Sequence, residues 1–236
     1  MGFIDDFKVD QELQIKTLCV AFFLVIFPLY FFSVAAGTDS PAGMGGVGKY
    51  SVSGEITYID FESGEEDIAD GSPLVIDLNT DAIDNLQGEN IVGVNLIMSY
   101  GENEQAGSGF SCTPLNSGQN QADTISGTAT HLNFSSSADG QNNGGNGEHS
   151  TITEWYNSSM IDSVVEGLSE ADINSQLDAK DAGLGDYSFE ISVSSNAGGG
   201  PGCQRSDSGE IVSYTIQLIV LDYTITPFID VDDIDV

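Results

Sequence analysis

The sequence predicts a mostly β protein, an antiparallel β-sandwich of about seven strands with a short helical insert, preceded by one transmembrane helix. Three observations lead there. Apolar and polar residues alternate strictly along Val92, Val94, Leu96, Met98 and Tyr100, again along Tyr187, Phe189, Ile191 and Val193, and again along Val212, Tyr214, Ile216, Leu218 and Val220. A period of two is that of a half-buried strand. These runs are separated by polar Gly, Ser, Asn and Asp tracts, and the chain's 28 glycines argue against a helical bundle. Finally, residues 17–37, TLCVAFFLVIFPLYFFSVAAG, contain no charge.

The elements follow in order. Residues 1–16 carry Asp5, Asp6, Asp10 and Glu12 against Lys8 and Lys16 and read as a cytoplasmic tail. Residues 17–37 would span roughly 31 Å as a helix, close to a bilayer core of about 30 Å. The segment is too long and its leading residues too acidic for an ordinary cleaved signal, although Ser33, Val34 and Ala35 satisfy the small-x-small cleavage pattern. Lys8 and Lys16 on one side against Lys49 on the other favour an inner N-terminus, hence a plasma-membrane protein with its C-terminal domain outside.

Residues 38–48 form a Gly-rich linker, and residues 49–226 the extracellular sandwich. Weaker strand candidates are 50–61, 74–78, 124–134 and 151–156. Within the sandwich, residues 158–181 read as a helical insert: Met160, Ile161, Val164, Val165 and Leu168 recur at helical spacing. Ser169 is placed to cap a second helix, with Leu168 and Ile173 as a hydrophobic staple. The Gly-rich stretches 138–147 and 197–209 read as loops, and residues 227–236 as an acidic tail.

Charge narrows the partners. With 37 acids and 5 bases the formal net charge is -32, and such a surface repels nucleic-acid phosphates. Of the bases, only Lys49, Lys180 and Arg205 follow the apolar run. Cys19 lies inside that run, which leaves Cys112 and Cys203 as a pair able to form one disulfide in an oxidising compartment.

Residues 91–226 resemble the β-sandwich modules of the pre-peptidase C-terminal and proprotein-convertase P-domain type, with a general likeness to immunoglobulin-like modules. The residues that carry the resemblance are Leu96-Ile-Met-Ser-Tyr100-Gly-Glu102, then Gly185-Asp-Tyr-Ser-Phe-Glu-Ile-Ser-Val193, then Asn196-Ala-Gly198 and a final apolar strand. Ser99-Tyr100-Gly101 stands where those modules have Trp-Thr-Asp. The resemblance implies a non-catalytic accessory fold.

Catalytic constellations are absent from the sequence: there is no HExxH, no G-x-S-x-G and no C-x-x-C. No enzyme and no required cofactor is expected. His131 reads as a solvent-facing strand residue, in phase opposite to Leu132 and Phe134. Calcium is the best-motivated ligand, because hard cations gather carboxylate and carbonyl oxygens. The stretch from Asp139 through Asn143 imitates the first half of a calcium loop, with Glu148 standing two residues early for the closing ligand. Glu65, Glu66, Asp67 and Asp70 form one further acidic cluster, and Asp230, Asp232, Asp233 and Asp235 another. Trp155 and Tyr156 are a candidate carbohydrate platform, with Trp155 as core filler the competing reading.

The sequence therefore predicts a single-pass surface protein displaying a non-catalytic β-sandwich for envelope structure, adhesion or interaction with a protein or carbohydrate partner. The alternatives are a calcium- or carbohydrate-binding module and a pilin-like filament subunit.

Overall fold

The computed structural model describes residues 46–101, 122–142, 147–197, 199–200, 203–204 and 206–228, with Ile15, Val20, residues 22–27 and Leu29 ahead of them. Two antiparallel sheets face each other. The first contains β1 (Gly48–Ala69), β3 (Ile91–Tyr100), β6 (Gly147–Glu154), β7 (Ser163–Leu168) and β11 (Gly209–Pro227), in the order β6-β3-β11-β1-β7. The second contains β2 (Leu74–Asn79), β4 (Thr124–His131), β5 (Phe134–Gln141) and β8 (Asp186–Ser194), in the order β2-β8-β4-β5. A two-residue pair, β9 (Gly199–Gly200) with β10 (Cys203–Gln204), stands apart.

The alternation read from the sequence builds the core between the sheets. Val94, Leu96, Met98 and Tyr100 of β3 and Val212, Ile216, Leu218 and Val220 of β11 pack there with Ile125, Ala129, Tyr187, Phe189, Ile191 and Val193 of the facing sheet. The close approach needs a glycine at one point. A Cβ on Gly127 would lie 2.4 Å from the Met98 Cε.

The first sheet is covered on its other face as well. There Val92, Ile219 and Leu221 join Tyr50, Val52, Met160, Ile173 and Leu177 in a second core. Val92 thus leaves the face it shares by simple alternation with Val94. The register between β3 and β11 slips at this point, Ile219 opposing Gly93 and Val220 opposing Ile91, and the slip reverses the phase of the strand.

Of the helical insert expected over 158–181, the first part does not form an α-helix. Ser158–Met160 form a single 3-10 turn, and Ser163–Leu168 form strand β7 on the edge of β1, Val164 facing Ser51 and Val165 facing Tyr50. The β-branched Val164-Val165 pair suits a strand, and the β1 edge supplies backbone partners that an isolated short helix lacks. Positive φ at Asp162 (54°) and Gly167 (79°) bends the chain at both ends of β7.

The second predicted helix does form, as α1 (Glu170–Leu177), with Ile173 and Leu177 buried. Its cap is the expected one: Ser169 Oγ accepts from the Asp172 N–H, while the Asp172 carboxylate accepts from the Ser169 N–H at 3.1 Å. Leu168 packs against the second core to which Ile173 belongs, the side where a staple would place it. Ser169→Ala should lower the unfolding free energy by about 1 kcal/mol in a urea titration. A loss below roughly 0.3 kcal/mol would show that packing alone holds α1.

Two loop expectations also change. The stretch 138–147 is not one loop, because β5 continues through Gln141 and β6 begins at Gly147. At the C-terminus β11 runs to Pro227, opposite Tyr50, and the Phe228 N–H donates to the Lys49 carbonyl. Of the segment 17–37 only Val20, residues 22–27 and Leu29 are described. Phe22–Ile26 make one π-helical turn with exposed apolar side chains, and among the described residues no helix is long and apolar enough to cross a membrane.

Candidate functional site

Three carboxylates from two distant parts of the sequence converge at one end of the sandwich. Asp123 immediately precedes β4, Asp207 lies on the approach to β11, and Glu210 is the second residue of β11. Each offers a carboxylate oxygen, and these oxygens lie within 4.8 Å of one another. Asp123 and Glu210 are both fully buried. Gly209 makes this possible. It adopts φ 137°, and a Cβ there would come 2.1 Å from the Ile68 carbonyl oxygen, so only glycine lets β11 start so tightly against the end of β1.

Backbone donors fix two of the three. The Asn196 N–H donates to Asp123 Oδ1 at 2.6 Å, and the Gly209 N–H donates to Asp207 Oδ1 at 3.1 Å. Asp207 Oδ2 is buried with no hydrogen-bond partner among the described residues. Burial pushes the Asp123 carboxyl up to about 6, and the neighbouring Asp207 carboxylate acts in the same direction, against the Asn196 N–H, which favours the charged form.

A second network braces this end. The Tyr100 hydroxyl donates to the Asp123 carbonyl and accepts from the Asn142 N–H at 2.9 Å. Asn142 Nδ2 donates to the Tyr100 carbonyl at 2.6 Å, and its Oδ1 lies 3.1 Å from His149 Nε2. Tyr100 therefore ties the end of β3 to the start of β4 and the end of β5. The backbone that presents Asp123 is thus held by a hydrogen bond from the facing strand, as the supporting shell of an ion site is. Three converging carboxylates can share a proton or hold a hard divalent cation such as calcium.

The residues singled out from the sequence fall elsewhere. Asp139 is exposed on β5 opposite Ser126, and Glu148 is exposed on β6 opposite Ser99, so both belong to strands and not to a loop. Asn143 and Cys112 lie outside the described residues, and Cys203 is described only as a backbone position of β10. Glu65, Glu66 and Asp67 are exposed on β1, while the Asp70 carboxylate accepts from the Ser195 N–H at 3.1 Å. The Asp230–Asp235 cluster lies outside the described residues.

Trp155 is half-buried against the inter-sheet core, its indole N–H donating to the Ile91 carbonyl at 2.9 Å. Tyr156 is half-buried against the second core. The Trp155 ring also lies against those of His131 and Phe134.

His131 reverses its expectation. It is 1% exposed, stacked on Tyr187 with ring centroids 3.9 Å apart. Its Nδ1 lies 2.9 Å from the Asp186 carbonyl oxygen and its Nε2 2.6 Å from that of Ala182. His131 continues the inward face of β4 set by Ile125, Gly127 and Ala129, and Leu132 turns to φ 51° and becomes the exposed residue of a tight turn.

The carboxylate cluster was not visible in the sequence. Asp123 is one acid among 37, and the only local signal was the Gly209 between Asp207 and Glu210. No protein-family model matches the chain, and no curated protein matches it.

Proposed function

We propose that the chain is a single-pass, membrane-anchored surface protein of the plasma membrane that displays a non-catalytic β-sandwich for envelope structure, adhesion or partner interaction. The observation that carries this reading is the join of an uncharged run at 17–37 to a strongly acidic sandwich through a Gly-rich linker. The acidic surface keeps displayed copies apart and soluble. The resemblance to pre-peptidase C-terminal and P-domain modules enters this proposal only as an accessory, non-catalytic role.

Topology tests it. Protease added outside intact cells should cut the linker at 38–48 and release the sandwich. Protection of the sandwich until lysis would overturn the orientation, and a mature chain beginning near Ala36 by intact mass would overturn the anchor.

A second reading concerns the ligand. The convergence of Asp123, Asp207 and Glu210 supports a divalent-cation site, calcium by the hardness of the donors, as a structural element of the displayed module. The site differs from the Asp139, Asn143 and Glu148 set that the sequence favoured.

A further inference from the structure

Strand β1 is much longer than the strand that covers its outer edge. β11 pairs with it from Tyr50 to Ala69, but on the opposite edge β7 reaches only residues 48–52. Beyond Val52, no strand among the described residues pairs with that edge. Side chains substitute at two points: the Gly54 N–H donates to Asp162 Oδ1 at 3.4 Å, and the Ser63 N–H donates to Glu62 Oε1 at 3.1 Å. From 55 to 67 the open edge is roughly 40 Å long, at about 3.3 Å per residue.

The side chains along this edge differ by face. Ile56 and Tyr58 stand opposite Leu221 and Ile219, and so extend the second core outward at 39% and 52% exposure. Glu62 and Glu66 stand opposite Ile216 and Val212, on the face toward the other sheet, and both are exposed. Their charge is felt nearby: the Tyr214 hydroxyl is held above its ordinary range by burial and then by Glu62 and Glu66.

An unpaired edge is a template for an added strand, and charge decides what can fill it. A second copy would set the same acidic row against itself. The chain's own C-terminal segment carries Asp230, Asp232, Asp233 and Asp235 and meets the same repulsion. An extended segment of opposite charge meets none. We propose that the open edge of β1 over 55–67 docks an extended cationic segment of another protein as an added strand. Its apolar side chains rest on Ile56 and Tyr58, and its Lys or Arg side chains face Glu62 and Glu66. The acids that forbid self-pairing then select the partner. This names the partner chemistry for the interaction role proposed above, and its test does not depend on membrane topology.

The test uses the full chain in detergent micelles and a synthetic peptide of about twelve residues alternating Lys and Val. Saturable binding is expected, with amide hydrogen exchange slowed within 54–67. A peptide of equal charge with Pro in place of alternate Val, which lacks strand-forming N–H groups, should bind at least about tenfold more weakly. The double variant E62K/E66K, with unchanged circular dichroism, should lose a similar factor. Equal binding of the Pro peptide, protection located away from β1, or absence of binding would each overturn the proposal. The two peptides on the unaltered chain decide the matter even if the double variant misfolds.

Discussion

Replacing His131 with leucine should lower the unfolding free energy by about 1–3 kcal/mol, because a part-buried carbonyl loses its N–H donor and the ring stack on Tyr187 is lost with it. The imidazole lies between the carbonyls of Ala182 and Asp186, at the turn Lys180–Gly183 and the first residue of β8, and its N–H donates to one of them. Tyr187, on which it stacks, donates its hydroxyl to the Gly183 carbonyl at 2.7 Å, so the two rings together hold that turn against the core. Gly183 in turn sits so close to Ile91 that a Cβ there would approach within 2.5 Å. Leucine matches the apolar surroundings but offers no N–H. Leu132→Ala, next in sequence and 64% exposed, should change stability by less than about 0.5 kcal/mol. Urea unfolding of both variants gives the comparison. A His131→Leu loss no larger than that of Leu132→Ala would mean that the carbonyl served by His131 finds another donor and that leucine packing replaces the ring stack.

The second large effect lies at the carboxylate cluster. The folded-state pKa of Asp123 is raised from 3.8 to about 6, so between these values the folded chain keeps a proton that the unfolded chain has lost. The stabilising contribution is greatest at the acidic side of this window and is lost as pH rises through about 6. In chelator, stability should therefore fall across that window by an amount that Asp123→Asn removes. Calcium acts in the opposite sense above it. If the cluster binds the ion, calcium at about a hundredfold its Kd adds about 2.7 kcal/mol, more near pH 7.5 than near pH 5, where Asp123 retains its proton.

The melting temperature in chelator, in calcium and in sodium chloride of equal ionic strength separates the ion site from general screening of a chain of charge -32. An equal rise with sodium and calcium would remove the cation reading and leave the pH dependence in place.

Alternation was enough to find β3, β8 and β11, since a period of two is a property of the strand itself and survives in any half-buried sheet. Local sequence was enough also for the Ser169 cap, whose hydrogen bonds reach only three residues along the chain. It failed where contacts run between distant segments. Val164 and Val165 have helical spacing with Met160 and Ile161, yet β1 offers them a strand edge, and a neighbour in space outweighed a local pattern. The same holds for the candidate site. The sequence displayed Asp139, Asn143 and Glu148 because they are close along the chain, whereas Asp123, Asp207 and Glu210 meet only when β4 and β11 are brought to one end of the sandwich.

What the sequence determined alone is therefore of short range or global: strand periods, one helix cap, an uncharged run and a strongly negative charge. Sheet order, the reversal of phase at Val92, the burial of His131 and the convergence of three carboxylates were decided by tertiary structure. These depend on which strands become neighbours, and neighbour choice is made by burying apolar faces against each other and by pairing backbone groups across long separations. No window of sequence contains both partners of such a contact.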